Sequence, residues 1–134
     1  MKLWITAPND GTPPLYAFLD TLEEKQRQKI FSLLALLLQT PEAAMREPYV
    51  KHFGIERYRA LYELRAKSRN LVRITFTLME NGDLLFLIPF IKRHRRDTMQ
   101  ALDASLRLLA QCRDGSCSIQ ELSIKSYTNG GNAT

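Results

Sequence analysis

Residues 61–67 read LYELRAK, and every second residue of this stretch lies on the same side of an extended chain. One side carries Glu63, Arg65 and Lys67 after a leading leucine. The other side carries Tyr62, Leu64 and Ala66. A period of two is that of a β-strand whose two faces meet different surroundings. The stretch therefore predicts a strand with one apolar face and one face rich in charge.

The chain that follows predicts two further strands. Residues 68–70 (SRN) can form a turn into a strand over 71–79, where Arg73 lies on a face otherwise made of leucine and threonine. Asn81 and Gly82 form the strongest short hairpin signal. Residues 84–90 are almost entirely apolar, which is typical of a central strand buried on both faces. The three strands predict an antiparallel sheet.

Helices are predicted before and after these strands. A short first strand over 2–6 precedes a helix that Thr12 would cap, and a second helix is predicted over about 23–39, so that the two form an αα-hairpin. A last helix runs from Arg95 or Asp97 to about residue 111, with Asp97 as its N-cap. The order β-αα-βββ-α predicts an α+β domain, with a small antiparallel sheet packed with an N-terminal αα-hairpin and a C-terminal helix.

Length and composition place this fold in a single domain. The chain has 134 residues, of which 45% are hydrophobic and 25% charged, and this excludes collagen-like, coiled-coil and disordered classes. We assign residues 1–111 to the folded domain and residues 112–134 to a polar C-terminal tail, in which 119–127 has the pattern of an added edge strand. The two cysteines, Cys112 and Cys117, are expected to be free surface thiols, because they match neither a disulfide framework nor a zinc site.

The apolar stretches are too short for a membrane protein. The longest nearly apolar run, residues 30–38, is about half of a membrane span. The first residues lack the sustained apolar segment of a signal peptide. The expectation is a soluble, cytoplasmic protein without a membrane partner.

Positive charge is concentrated in the middle of the chain. The formal net charge is +5, yet residues 46–96 alone carry twelve Lys and Arg against five Asp and Glu. A domain with this distribution is suited to a polyanionic partner. The alternative is a solvated basic face that binds nothing.

The predicted strands bring several of these cations to one face. If they are neighbours, the face is lined by Arg65, Lys67, Arg73, Lys92 and Arg93, with His94 at its mouth. Such a face can bind several phosphates, because the guanidinium fork matches phosphate oxygens. Alternatively, Arg65 and Arg73 pair across strands with Glu63 or Glu80. Carboxylates are sparse here and no Gly-rich phosphate loop exists, so neither a metal nor a cofactor is expected.

Five segments, taken in order, resemble the RelE/HigB toxin superfamily, and in particular its phage-derived HigB-like branch. They are residues 14–20 (PLYAFLD), 49–53 (YVKHF), 61–65 (LYELR), 72–74 (VRI) and 89–93 (PFIKR). The likeness extends over about residues 13–110. It implies a RelE-like fold and a type II toxin that is neutralised by a small antitoxin, expected to be a helix-turn-helix protein. It also implies an endoribonuclease (mRNA interferase) that cleaves mRNA, commonly on the ribosome.

The resemblance places the family's basic cluster on Arg65, Lys67, Arg73, Lys92 and Arg93, and we assign roles to these residues and to His94 from the chemistry of RNA cleavage. Arg73 would stabilise charge on the scissile phosphate, Arg65 would orient the backbone, and His94 or Lys92 would move protons in a reaction that needs no metal. The residues expected to contact RNA are Lys67, Arg69, Arg93, Arg95, Arg96 and Lys51. The chain departs from the branch before the last helix, where residues 92–98 read KRHRRDT without the usual Thr-Pro, and Met99 stands where some relatives carry a catalytic tyrosine. The identity of the general acid and base is therefore left open.

Two other functions share these features. A ParE-like toxin has the same scaffold but blocks DNA gyrase, and fold alone does not separate the two. A phage-derived module that binds nucleic acid or protein without catalysis is the third interpretation, which the missing tyrosine supports. RNA cleavage is favoured over both of these functions by the basic residues of the predicted face, which are Arg65, Lys67, Arg73, Lys92 and Arg93.

Overall fold

A computed structural model of the chain describes residues 1–8 and 11–123. The helices are α1 (Pro14–Asp20), α2 (Glu24–Gln39), α3 (Pro41–Ala44) and α4 (Arg95–Asp114), with a 3-10 turn over Glu56–Tyr58. The strands are β1 (Leu3–Ala7), β2 (Val50–His52), β3 (Leu61–Lys67), β4 (Leu71–Leu78), β5 (Leu84–Ile91) and β6 (Ser118–Glu121). Within this described part, no helix has the length and apolar character needed to cross a membrane.

The strands form a six-stranded sheet in the order β2-β3-β4-β5-β1-β6. Its neighbours pair antiparallel, except for β1 and β5, which are parallel. The prediction of an α+β fold with a largely antiparallel sheet is therefore confirmed. β5 lies in the interior of the sheet, as its apolar sequence indicates. At one edge, β6 pairs with β1 over residues 118–121, whereas residues 124–127 of the predicted edge strand lie outside the described part of the chain.

Each face of the sheet carries its own apolar core. On one face, α1 and α2 contribute Leu19, Ile30 and Leu34, which are completely buried together with Phe76 and Phe86 of the sheet. On the other face, the apolar stripe of α4 packs on β5 and β4. That second core contains Leu61, Leu85, Leu87, Leu102 and Leu109. Burying a leucine side chain stabilises a fold by about 1.5–3 kcal/mol, so these contacts hold α4 against the sheet.

The predicted hairpin between β4 and β5 is present, with a loop over residues 79–83. Gly82 has a φ of +91°, a backbone conformation that residues with a side chain rarely adopt. The Met79 amide donates to the carbonyl of Asp83 at 2.7 Å, which closes the loop. The turn fixes which residues of β4 and β5 face each other.

The starts of α1 and α4 differ from the prediction. α1 begins at Pro14 after Pro13, and no described side chain caps it, so Thr12 is not its N-cap. α4 begins after His94, whose extended backbone occupies the capping position, and this makes Asp97 the third helical residue rather than the cap. Asp97 Oδ2 nevertheless accepts hydrogen bonds from the amides of Arg93 and His94, each at 2.8 Å. These amides lower the pKa of Asp97, because they stabilise its ionised form.

The two cysteines are partly buried rather than surface thiols. Cys112 lies in the last turn of α4 and Cys117 lies just before β6, and neither forms a disulfide. Burial and the neighbouring Cys117 raise the pKa of the Cys112 thiol to about 11. The cysteines are partly buried because β6 pairs with β1, and this pairing places the end of α4 against the sheet.

Candidate nucleic-acid interface

Three of the predicted basic residues, Lys51, Arg65 and Arg73, lie in rows across the face of the sheet that α4 also covers. Arg65 on β3 is directly opposite Arg73 on β4, and Arg73 is in turn opposite Phe90 on β5. The next row contains Lys51, Glu63 and Thr75 on β2, β3 and β4. Directly paired residues point to the same side of a sheet, so these side chains share one face.

Glu63 is the centre of this arrangement. Its residue surface is 0% exposed, and its Oε1 lies 3.1 Å from Nε of Arg65 and 3.4 Å from Nε of Arg73. Both arginines therefore pair with the same carboxylate: Arg73 does so across strands, as the alternative interpretation expected, whereas Arg65 does so within β3. Glu80 forms no ion pair with Arg65 or Arg73. The three side chains have a net charge of +1, which leaves the cluster attractive to an anion.

Arg73 is the more deeply placed of the two arginines, with 10% of its side chain exposed against 25% for Arg65. The pKa of Arg73 is lower than its ordinary value. Burial is the largest cause, and the positive charge of Arg65 acts in the same direction, whereas the negative charge of Glu63 opposes the shift. Because charges interact more strongly when water is excluded, a buried guanidinium is a stronger partner for a phosphate than a solvated one.

A β-bulge next to the cluster shapes the end of β5. The pairing of β4 with β5 shifts between Ile74 and Phe76. The hydroxyl of Thr75 fills the irregularity: it accepts from the Ile88 amide at 3.0 Å and lies 2.6 Å from Ser105 Oγ. Ser105 in turn donates to the carbonyl of Ala101 at 2.7 Å. The hydroxyls of Thr75 and Ser105 thus connect α4 to the bulged part of the sheet, beside the basic residues.

A cavity of about 410 Å³ lies between the end of β5 and the first half of α4. Its apolar wall contains Phe90, whose neighbour in the sheet is Arg73. Its polar rim contains Arg93, His94, Asp97 and Gln100. Because Asp97 holds the backbone of residues 93 and 94, it fixes the segment that carries two of the predicted site residues.

The other predicted residues divide into two groups, of which the first lies at the end of the sheet next to the arginine pair, on β2 or in the first turn of α4. Lys67 and Lys92 lie at the end of the sheet next to the Arg65–Arg73 row, since Lys67 pairs with Leu71 and the Lys92 amide donates to the Leu71 carbonyl at 2.8 Å. Arg95 and Arg96 are exposed in the first turn of α4. Lys51 shares the face of Glu63 and lies 5.3 Å from the ring centre of Phe53.

Arg69 forms the second group and does not join them. It lies in the turn between β3 and β4, and its guanidinium contacts Glu23 at the start of α2 at 3.3 Å. Both side chains are more than half exposed, so the pair contributes little to stability. Arg69 thus connects the turn to the helical face instead of the cluster.

His52 lies apart from the predicted basic residues. It belongs to β2 and stacks on Tyr62, with the ring centres 4.4 Å apart. Its Nε2 lies 2.7 Å from the carbonyl oxygen of Arg59. Because Tyr62 lies on the opposite face from Glu63, His52 points away from the basic cluster.

Glu63, Phe90 and Gln100 were absent from the predicted site. Glu63 had one detectable signal, an acidic residue two positions before Arg65 on the basic face of an alternating strand. Phe90 and Gln100 had none, because they meet only when α4 folds over the end of β5. Among the described residues, no three His, Cys, Asp or Glu side chains come together as metal ligands.

Comparison with known proteins identifies the family to which the chain belongs. No curated protein matches the chain. Residues 17–110, about 70% of the sequence, match the family described as phage derived protein Gp49-like (DUF891). The matched segment contains the whole basic cluster and the cavity beside it. The chain therefore belongs to the Gp49-like family, a phage-derived family associated with toxin–antitoxin systems.

Proposed function

We propose that this protein is the toxin of a type II toxin–antitoxin system and that it cleaves mRNA without a metal ion. The observation that carries the proposal is the direct pairing of Arg65 with Arg73 beside a cavity rimmed by His94 and Arg93. Two guanidinium groups with a net positive charge fit a phosphodiester, and the imidazole of His94 at the cavity is a side chain that can donate or accept a proton. The family association with toxin–antitoxin systems supports the same conclusion.

The proposed reaction is an internal transfer within the RNA. The 2′-oxygen of one nucleotide forms a bond to the adjacent phosphorus, and the bond from phosphorus to the 5′-oxygen of the next nucleotide breaks. A base takes the proton of the 2′-hydroxyl, and an acid gives a proton to the departing 5′-oxygen. The products are a 2′,3′-cyclic phosphate and a 5′-hydroxyl, so neither water nor a cofactor enters the step.

The arginine pair fits the charge that develops in this reaction. Negative charge grows on the non-bridging phosphate oxygens in the transition state, and a buried guanidinium that is already held in place stabilises it without reorganising. We assign this role to Arg73. Arg65 and Lys67, which are more exposed, would orient the RNA backbone. His94 or Lys92 would move the two protons.

The proposed partners are those that the resemblance implies. The substrate is mRNA, and the ribosome would supply the positioning of the message that a small open cavity does not. The antitoxin would be a helix-turn-helix protein that neutralises the toxin. Residues 46–96, with their excess of positive charge, offer it an electrostatic partner surface.

The experiment that tests the proposal is a map of mRNA 5′ ends after brief induced expression. The wild type is compared with Arg73→Ala and with Arg113→Ala, a control that removes one exposed positive charge about 24 Å along α4 from Asp97. New 5′ ends within coding regions are expected for the wild type and the control, and their loss for Arg73→Ala. Growth arrest without new ends would contradict the proposal in favour of gyrase or another protein target. RNA binding without arrest or new ends would favour a non-catalytic module.

A further inference from the structure

We propose that Glu63 is the positioning residue of the Arg65–Arg73 pair, which it holds in a fixed orientation so that the outer edges of both guanidinium groups face one phosphate. This inference rests on the proposed function, because the phosphate is that of the RNA. Glu63 is too deeply buried to touch the RNA itself. It acts through the two arginines.

Glu63 contacts both arginines on the Nε side of the guanidinium group. Oε1 lies 3.1 Å from Nε of Arg65, with hydrogen-bond geometry, and 3.4 Å from Nε of Arg73. Nε is the inner nitrogen of the guanidinium group, so a carboxylate at this position leaves the outer nitrogens for another acceptor. Nη1 of Arg73 makes one weak contact, to the Val72 carbonyl at 3.4 Å. A phosphate is an acceptor of the required charge and geometry.

Without Glu63, the pair would be electrostatically unfavourable. Arg65 and Arg73 are direct cross-strand neighbours, and like charges in this position repel each other. The single negative charge of Glu63 contacts both of them, from the β3 residue two positions before Arg65. It offsets most of this repulsion while the cluster keeps one unit of positive charge for the substrate.

The ion pairs of the cluster leave two buried atoms unsatisfied. Oε2 of Glu63 and Nε of Arg73 are both buried, and neither has a hydrogen-bond partner within the described residues. A buried charge pair that served stability alone would gain from satisfying these atoms. The arrangement instead favours a role in holding the guanidinium groups ready for an anion.

The first test separates binding from cleavage. Glu63→Gln keeps the shape of the side chain and removes its charge, and Glu80→Gln is the matched control, because Glu80 is exposed after β4. Binding is measured with a fully 2′-O-methylated RNA, which cannot react, and cleavage with the same sequence carrying 2′-hydroxyls, on ribosomes if they are required. Glu63→Gln is expected to bind as tightly as the wild type or more tightly, because the cluster gains positive charge. Its cleavage is expected to fall by about tenfold to a hundredfold, because the guanidinium groups lose their orientation.

Three results would overturn the inference. Unchanged cleavage by Glu63→Gln would show that the orientation does not matter. Binding and cleavage reduced by the same factor would show a merely structural role. The same loss of cleavage in Glu80→Gln would show that the effect comes from the net charge of the protein alone. If the wild type binds the methylated RNA but never cleaves, the proposed function fails, and the binding comparison and the measurement below still test Glu63.

A second measurement uses the wild-type protein, so it does not depend on the folding of a variant. The side-chain N–H resonances of the arginines are followed by NMR during a titration with inorganic phosphate and then with the methylated RNA. The Nε–H protons of Arg65 and Arg73 are expected to exchange slowly with water before any ligand is added, because the first donates to Glu63 and the second is buried. The outer nitrogens of the same two residues are expected to shift on titration. Rapid exchange at Nε, or shifts confined to other cations, would contradict the proposal.

Discussion

Thr75 Oγ1 lies 2.6 Å from Ser105 Oγ, and this contact joins the interior of the sheet to the middle of α4. Both residues are completely buried. Through the Ile88 amide, the same hydroxyl of Thr75 satisfies the backbone at the bulge of β5. Together with the apolar contacts of α4, these two hydroxyl groups position α4 over the end of β5 and so help to shape the cavity that Phe90 lines.

Replacement of Thr75 is expected to destabilise the protein by way of this contact. Thr75→Val keeps the shape but leaves the Ile88 amide without its acceptor, so the free energy of unfolding should fall by about 1–3 kcal/mol. Thr75→Ser retains the hydroxyl and should lose less. Urea denaturation followed by the fluorescence of Trp4, the single tryptophan, measures both values. Equal stabilities of the two variants would show that the hydroxyl contributes nothing.

Arg73 is expected to control the rate of cleavage rather than the binding of RNA. Arg73→Ala should lower the cleavage rate about a hundredfold, equivalent to about 3 kcal/mol, by analogy with removal of one donor from an oxyanion site. Arg73→Lys should recover only part of the rate, because it restores the charge but not the planar fork. Single-turnover cleavage at saturating RNA measures this effect. A normal rate in Arg73→Ala would rule out the assignment.

Lys67 is expected to contribute through electrostatics alone, because it is exposed at the end of β3. For single-stranded nucleic acid, each neutralised phosphate contributes about −0.7 to the slope of log affinity against log salt. Lys67→Gln should reduce the magnitude of that slope by about this amount for the methylated RNA. Arg113→Gln, the matched loss of charge at the far end of α4, should leave the slope unchanged. A reduction of similar size in both variants would indicate non-specific attraction.

Asp83 is expected to make stability depend on acid pH. Its carboxylate accepts hydrogen bonds from Trp4 Nε1 and from the Lys2 amide, each at 2.9 Å, and these contacts lower its pKa. Because the pKa of an unfolded aspartate is about 3.9, the ionised form contributes stability above about pH 4, and this contribution is lost as the pH falls through the lower pKa of the folded state.

The variant Asp83→Asn tests this dependence. At pH 7 it should be less stable than the wild type, since the amide retains only part of the acceptor capacity. The difference should shrink as the pH falls from about 4 through the lower pKa of the folded state, at which the wild-type carboxyl becomes protonated. Urea denaturation across the pH range gives the two curves. A stability difference that persists unchanged at low pH would contradict a role for the ionised carboxylate.

The amino-acid sequence by itself determined the class of fold and the face that carries charge. A period of two over residues 61–67 assigns each side chain to one face, and the Asn81–Gly82 turn sets the hairpin that follows. These are local properties, since side-chain direction in a strand depends only on neighbouring backbone geometry. For the same reason, alternation together with the predicted turn over residues 68–70 was enough to place Arg65 and Arg73 on one face.

Only the tertiary structure decided what surrounds those arginines. The pairing of strands put Arg65 opposite Arg73, and folding buried Glu63 completely beside them. The bulge at Thr75 and the cavity beside Phe90 depend on where α4 lies. Register and packing arise from contacts between residues far apart in the chain, and alternation within one strand contains no information about them. The chain thus specified a basic face locally, and long-range packing made it into a site with a buried carboxylate, two oriented guanidinium groups and an adjacent cavity.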